Sequence, residues 1–296
     1  MQISIAGCRF TFVTENVQLE EHGKHHWVSN SFELTNSEYN IFNDVTVVIT
    51  DRPAPSMEGF SRIFESESNW TCWKCGNDYM IIEQPPQYEE PILITLIRLN
   101  EQEIFIHCAS EFIDKSSGLI SLHPFYYPLD QVILTFLLAD NQGGIIHSAG
   151  WRRDDGTLIL AGKSGAGKST IARLIKQVTK DPFLSDDRVA VRRSGEGFDA
   201  YGTPWAGEEM DALNDKSPLK GLLFLHQAEE NKVETVSSFQ ALKLLMPVMT
   251  VPWYDKVRVG KMMDLSDILL QEVPVYLFSF TRDQRAVECL QNFNFK

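Results

Sequence analysis

Along the first 120 residues the apolar positions fall in short runs that alternate with polar ones, at 2–5, 8–13, 44–50, 79–83, 92–99 and 103–108. A period of two marks strands with one buried face, and the runs are too short for helices. Pro53-Ala54-Pro55 and Pro85-Pro86 interrupt the pattern where chain reversals are needed. Trp70, Trp73 and Tyr79 flank Gly76-Asn77-Asp78, which predicts a strand, a bend and a second strand. A mainly antiparallel β domain is therefore expected at the N-terminus.

Near residue 125 the pattern changes. Residues 128–138 have the apolar density of a buried helix, and Asn141-Gln142-Gly143-Gly144 stops it. A strand at 145–147, a turn at 152–156 and a strand at 157–161 follow. Ile171, Leu174 and Ile175 then recur at helical spacing within 169–177. Further strand-like runs lie at 189–192, 222–225 and 275–280, and a helix at 283–293 closes the chain. The second half reads as α/β, so the whole is α+β, with domains at 1–122 and 123–296.

Composition narrows the class. Of 296 residues, 43% are hydrophobic and 23% charged, which suits a chain with a substantial core. No apolar run nears the roughly 20 residues of a membrane span. Met1-Gln2-Ile3-Ser4-Ile5 has neither the basic region nor the apolar stretch of a secretory signal, so a cytoplasmic location and no membrane partner are expected. The net charge of −13, from 27 basic and 40 acidic residues, argues against a nucleic-acid partner. Five cysteines do not form a disulfide framework in a chain of this length. Cys72-Trp73-Lys74-Cys75 is a lone C-x-x-C whose plain reading is part of the hairpin.

The strongest chemical signal is Gly162-Lys163-Ser164-Gly165-Ala166-Gly167-Lys168-Ser169, a complete G-x-x-x-x-G-K-[ST] loop between a predicted strand and a predicted helix. With glycine at about 0.07 per position, the pattern arises by accident in roughly one chain in a hundred of this length. In such a loop backbone N–H groups turn inward around phosphate oxygens, and the helix adds the positive end of its dipole. Lys168 is expected between the β- and γ-phosphates, with the Ser169 hydroxyl on Mg²⁺ and Thr170 completing the cradle. ATP with Mg²⁺ is the expected nucleotide ligand.

Asp186 and Asp187 follow Ser169 by 17 and 18 residues. A phosphate loop needs a carboxylate to hold Mg²⁺, and transfer to a hydroxyl gains from one that accepts the proton, so two adjacent aspartates can divide these roles. His147 lies 15 residues before Gly162, at a predicted strand end. Arg152 and Arg153 read as a solvated turn, and Arg188 as an ion-pair support for the aspartates.

Together, His147-Ser-Ala-Gly-Trp, Gly162-Lys-Ser-Gly-Ala-Gly-Lys-Ser-Thr170 and Leu184-Ser-Asp-Asp-Arg-Val-Ala-Val191 resemble the catalytic core of the HPr kinase/phosphorylase-like serine kinases. That family is related to ATP-dependent phosphoenolpyruvate carboxykinase. The resemblance covers 145–193 well and 125–290 more loosely. It implies that Lys168 and Ser169 bind phosphates and Mg²⁺, that Asp186 helps hold the metal, that Asp187 is the base toward a serine hydroxyl, and that His147 lines the same site. The family's E-[IV]-R-G-[LIVM]-G signature is absent. In its place stands Tyr201-Gly-Thr-Pro-Trp-Ala-Gly-Glu-Glu209, closer to the kinases encoded with peptide-modification cassettes, such as the SynChlorMet cassette protein C and lasso-peptide precursor kinase types. Thr203, Trp205 and Glu208 are then candidates for the acceptor side. A protein or peptide acceptor and homo-oligomers are further expectations from the resemblance, and acceptor or peptide recognition is the expected task of the N-terminal domain.

Two other classes stay open on the residues alone: a P-loop ATPase or small-molecule kinase, and a non-catalytic ATP-binding module for peptide recognition. Neither the L-S-G-G-Q signature of transport ATPases nor the N-K-x-D base-reading motif of G proteins is present.

Overall fold

A computed structural model describes residues 1–20, 32, 41–67, 69–120, 122–195 and 197–295. They form two compact units, Met1–Leu137 and Leu138–Lys296, in an α+β chain.

The first unit contains strands β1 (Gln2–Ile5), β2 (Cys8–Glu15), β3 (Gln18–Leu19), β4 (Asn43–Thr50), β5 (Ser61–Glu65), β6 (Trp70–Cys75), β7 (Asp78–Glu83), β8 (Leu93–Arg98), β9 (Glu103–Cys108) and β10 (Leu119–Ile120). Eight of them form one sheet in the order β1-β2-β4-β9-β8-β7-β6-β5. Its ladders are antiparallel except β2–β4 and β4–β9. Parallel neighbours need a long connection, and residues 16–42 and 51–102 supply it. The period-two pattern holds. In β4, Val45, Val47 and Ile49 are buried, and in β9, Ile104, Ile106 and Cys108. Each fully buried aliphatic side chain contributes roughly 1.5–3 kcal/mol.

Strands β6 and β7 form the expected hairpin, with Cys75 opposite Asp78. Cys72 is buried and Cys75 exposed, so the C-x-x-C thiols do not face one another. Among the described residues no cluster of three His, Cys, Asp or Glu groups is placed to hold a metal ion.

Composition shifts at residue 122, whereas packing divides the chain at 137. The Phe125 ring lies 5.0 Å from Phe10, and Phe136 lies 4.8 Å from Tyr79, which ties the intervening segment to the first unit. Helix α1 (Leu129–Asp140) begins there.

The second unit holds β11 (Gly143–Arg153), β12 (Gly156–Ala161), α2 (Lys168–Val178), β13 (Arg188–Ser194), β14 (Gly197–Tyr201), β15 (Lys216–Gln227), β16 (Lys232–Thr235), α3 (Ser238–Leu245), α4 (Lys256–Glu272), β17 (Val275–Phe280) and α5 (Arg285–Asn292). Two strands are longer than their apolar runs suggest, because each serves two neighbours in turn. Residues 143–147 of β11 pair with β13, and residues 148–153 pair with β12. Strand β15 pairs first with β14, then runs parallel to β12 and β17. The loops after β12, β15 and β17 therefore open at one edge. Helices α2 and α5 cover one side of this sheet through Ile171, Ala172, Ile175, Ala286, Val287 and Leu290. Helix α4 packs Met262, Leu265 and Leu269 into the second core. The segment 250–255, read from sequence as core or interface, divides: Val251 is buried, Trp253 is 63% exposed, and Asp255 caps α4. No helix among the described residues is long and apolar enough to cross a membrane.

Glu83 in the first unit is 6% exposed, and burial pushes its carboxyl up to about 8, with Asp130 adding to the rise and a Tyr126 hydrogen bond opposing it. The folded chain keeps a proton that the unfolded chain releases above its ordinary value of 4.5. The stability that Glu83 contributes is thus fully present below its ordinary value and is lost as pH rises to about 8. The loss is on the order of 4 kcal/mol. Urea unfolding at pH 5 and pH 8 is expected to show this fall in the wild type and to lose most of it in Glu83→Gln. An unchanged slope in that variant would mean that Glu83 is already ionised in the fold.

Candidate active site

The predicted phosphate loop occupies the turn from β12 to α2. Gly167 sits at the helix N-cap with φ of +99°, and a Cβ there would lie 2.7 Å from Phe280 Cζ and 2.9 Å from Gln227 Nε2. Only glycine satisfies both the backbone angle and the close approach. The Gly167 carbonyl accepts from Ile171 N–H at 2.9 Å, starting the helix. Lys168 donates to the Gly162 carbonyl at 3.1 Å, so its ammonium folds back over the loop. Desolvation lowers the Lys168 pKa, offset in part by Asp187 and reinforced by Arg188.

Ser148 pairs with Ala161, the last residue of β12, so His147 stands beside the start of the loop. It is also the residue at which β11 changes partner. Its backbone N–H donates to Val248 O at 2.7 Å, and its Nε2 lies 3.1 Å from Asp187 Oδ1. The other carboxylate oxygen of Asp187 lies 3.3 Å from Arg188 Nε. The His147 hydrogen bond, with Arg188 and Lys168 nearby, holds the Asp187 carboxyl below the ordinary carboxylate range against the cost of its partial burial.

The Ser185 hydroxyl shapes the turn carrying both aspartates. It accepts from the N–H groups of Asp187 at 3.2 Å and Arg188 at 3.1 Å, and donates to the Trp205 carbonyl at 3.2 Å. Asp186, 5% exposed, turns toward residues 207–211. Its Oδ1 accepts from Gly207 N–H at 2.7 Å and Asp211 N–H at 3.2 Å, and its Oδ2 from Glu209 N–H at 2.7 Å. A carboxylate has about four lone-pair sites, so this leaves one on Oδ2 for a cation or water. The 207–211 turn is also clamped from α2: Arg173 bonds Glu209, and Lys176 pairs with Asp211.

These elements enclose a cavity of about 400 Å³. Of the residues expected from sequence, His147, Ser164, Gly165, Gly167, Lys168, Ser169, Thr170, Asp186 and Asp187 line it. Gly162, Lys163 and Ala166 form the loop from behind. Gly162 supplies the carbonyl that holds Lys168, Lys163 is exposed, and Ala166 N–H closes the turn onto Lys163 O at 3.0 Å. On the acceptor side only Glu208 reaches the cavity. Thr203 is buried with its hydroxyl on Arg188 O at 2.6 Å, and Trp205 is 6% exposed, so both act as packing residues. Arg152 and Arg153 lie outside the cavity lining and pair with Asp215 and Asp155. Gln227 and Arg282 line the cavity unannounced by any motif, since strand ends 55 residues apart leave no local pattern.

No protein-family model matches the chain, and no curated protein matches it. Among solved structures it is similar to the structure of the Hpr(Ser) kinase/phosphatase from Coxiella burnetii, at 11% identity over 46% of this chain and 79% of that one, with a TM-score of 0.27. A likeness at that level leaves the chemistry to be argued from the site's own geometry.

Because three N–H groups converge on Asp186, its replacement loosens the 207–211 turn. Asp186→Ala should cost about 3 kcal/mol. Amide hydrogen exchange at Gly207, Glu209 and Asp211 should accelerate, while α2 stays protected. Unchanged exchange at those three amides would show that the carboxylate does not hold the turn.

Proposed function

We propose that the chain is an ATP-dependent kinase that transfers the γ-phosphoryl group of Mg-ATP to a serine hydroxyl of a protein or peptide. The observation that carries this reading is that Asp187, held by His147 and Arg188, faces the same cavity as Lys168 and Ser169. A phosphate loop alone suits any nucleotide-binding protein. A fixed, ionised carboxylate opposite the loop lysine is what transfer to a hydroxyl requires.

Lys168 takes the β- and γ-phosphate oxygens, regaining in that contact the solvation its ammonium lacks in the fold. The Ser169 hydroxyl and the remaining Asp186 lone pair would hold Mg²⁺, which when bound would supply neutralisation of phosphate charge. The acceptor hydroxyl hydrogen-bonds to Asp187. Its oxygen forms the new bond to the γ-phosphorus as the bond to the β,γ-bridging oxygen breaks and ADP leaves, and the hydroxyl proton passes to the Asp187 carboxylate. A carboxylate held at low pKa is a weak base. In a loose phosphoryl-transfer transition state the proton departs late, so orientation matters more than basicity. His147 and Arg188 supply that orientation by holding both carboxylate oxygens.

Serine as acceptor and a peptide-modification setting rest on the residue pattern at 147, 162–170 and 184–191 together with the 201–209 stretch. The same reading gives acceptor recognition to the N-terminal unit and a cytoplasmic setting to the enzyme, which leaves room for a homo-oligomer.

The test is transfer of labelled γ-phosphate from Mg-ATP into proteins and peptides of the source cell extract, followed by identification of the labelled amino acid. Asp187→Asn is expected to bind ATP within a few fold of wild type while transfer falls by about 10²–10⁴. Lys168→Ala is expected to lose both. Equal transfer by Asp187→Asn would remove the assigned role of that carboxylate. Free phosphate without a labelled acceptor would point to an ATPase instead.

A further inference from the structure

Two cavity-lining residues have no part in the transfer chemistry. Gln227 is the last residue of β15, and Arg282 follows β17 by two positions. Because β12, β15 and β17 run parallel, both residues emerge at the edge that carries the phosphate loop. Gln227 Nε2 donates to the Gly165 carbonyl of the loop at 2.9 Å. Its Oε1 accepts from Arg282 Nε at 2.9 Å and also from Arg282 Nη2. The backbone on either side of Arg282 is anchored: Ala228 N–H donates to Phe280 O at 2.9 Å, Thr281 N–H to Asn231 Oδ1 at 2.8 Å, and Arg285 N–H to Asp283 Oδ1 at 3.0 Å. Asp283 is taken by Arg285, and among the described residues Arg282 forms no ion pair with a carboxylate.

A guanidinium held along one edge by a neutral amide keeps its full charge and presents its flat faces. The position of this one is informative. Along the sheet edge the order is β11, β12, β15, β17. His147 and Asp187 lie on the β11 side of the loop, and Gln227 and Arg282 on the β15–β17 side. A triphosphate whose γ-phosphate faces Asp187 therefore directs its nucleoside away from Asp187, toward Arg282.

On the proposed reading of this cavity as a nucleotide site, we infer that Arg282 is a nucleobase platform. Its guanidinium stacks on the base, and Gln227 holds that plane in register with the phosphate loop through the Gly165 carbonyl. Arg282 positions the nucleotide and takes no part in bond making. Stacking on a delocalised plane tolerates any purine, so Arg282 secures binding without reading the base edge.

The experiment is calorimetric titration of the full chain with a non-hydrolysable ATP analogue and, separately, with inorganic tripolyphosphate, both with Mg²⁺. Arg282→Ala is expected to weaken the nucleotide about tenfold and to leave tripolyphosphate within twofold. Arg282→Lys keeps the charge but not the plane and should remain weakened toward the nucleotide. Arg282 is exposed, so both variants should melt like the wild type. Equal weakening toward both ligands, or full rescue by lysine, would make Arg282 a phosphate contact and overturn the inference. So would unchanged nucleotide affinity in Arg282→Ala. A wild type that binds tripolyphosphate no more weakly than the nucleotide would refute the platform and leave the phosphate loop standing. A wild type that binds neither would take down the nucleotide reading and the platform together.

Discussion

The His147–Asp187 side of the cavity depends on one strand hydrogen-bonding to two partners in succession. Strand β11 satisfies its backbone with β13 through residue 147 and with β12 from residue 148 onward. Buried backbone groups must be paired, so the position of that exchange is fixed by the ladders on either side. It brings the histidine of one sheet beside the phosphate loop of the next. It also brings Asp187 into place, since Ser148 N–H donates to the Asp187 carbonyl at 2.9 Å. The His147–Asp187 side of the cavity is thus anchored on β11 and beside the start of β13.

The two adjacent aspartates have opposite surroundings, and their chemistry follows from that difference. Asp186 is buried and satisfied by backbone N–H groups, which makes it the anchor of the 207–211 turn. Asp187 is half-buried, and the His147 hydrogen bond, with Arg188 and Lys168 nearby, keeps it ionised. An acidic chain would repel a triphosphate from most of its surface. Lys168 places positive charge in the loop where phosphate is expected, so the attraction is local.

The phosphate loop was legible in the sequence because its chemistry is local: eight consecutive residues specify the turn, the glycine angles and the helix start. The Asp pair was legible as a pair, with its roles divided by the resemblance, but the contrast between the surroundings of its two members was not. Which aspartate turns inward depends on the N–H groups of Gly207, Glu209 and Asp211, more than twenty residues away. The same limit applies to Thr203 and Trp205, whose types suit either a binding surface or a core and which the fold buries. Most N-terminal strands could be read from alternation, whereas β5 and β10 were too short or too evenly exposed to register. The parallel ladders of β2 and β4 with their neighbours were invisible, since alternation reports which face is buried and not which strand lies alongside. Arg282 and Gln227 acquire meaning only through the order of strands in a sheet.

Lys168 shows what this architecture asks of the fold. Its ammonium is partly stripped of water and donates to the Gly162 carbonyl, so the fold holds a charge in surroundings less favourable than solvent. A neutral side chain of similar length would cost the fold less. The lysine is thus a locally frustrated contact; on the proposed reading a phosphate would relieve its tension, and tighter packing around it would trade away the disequilibrium that draws such a ligand in.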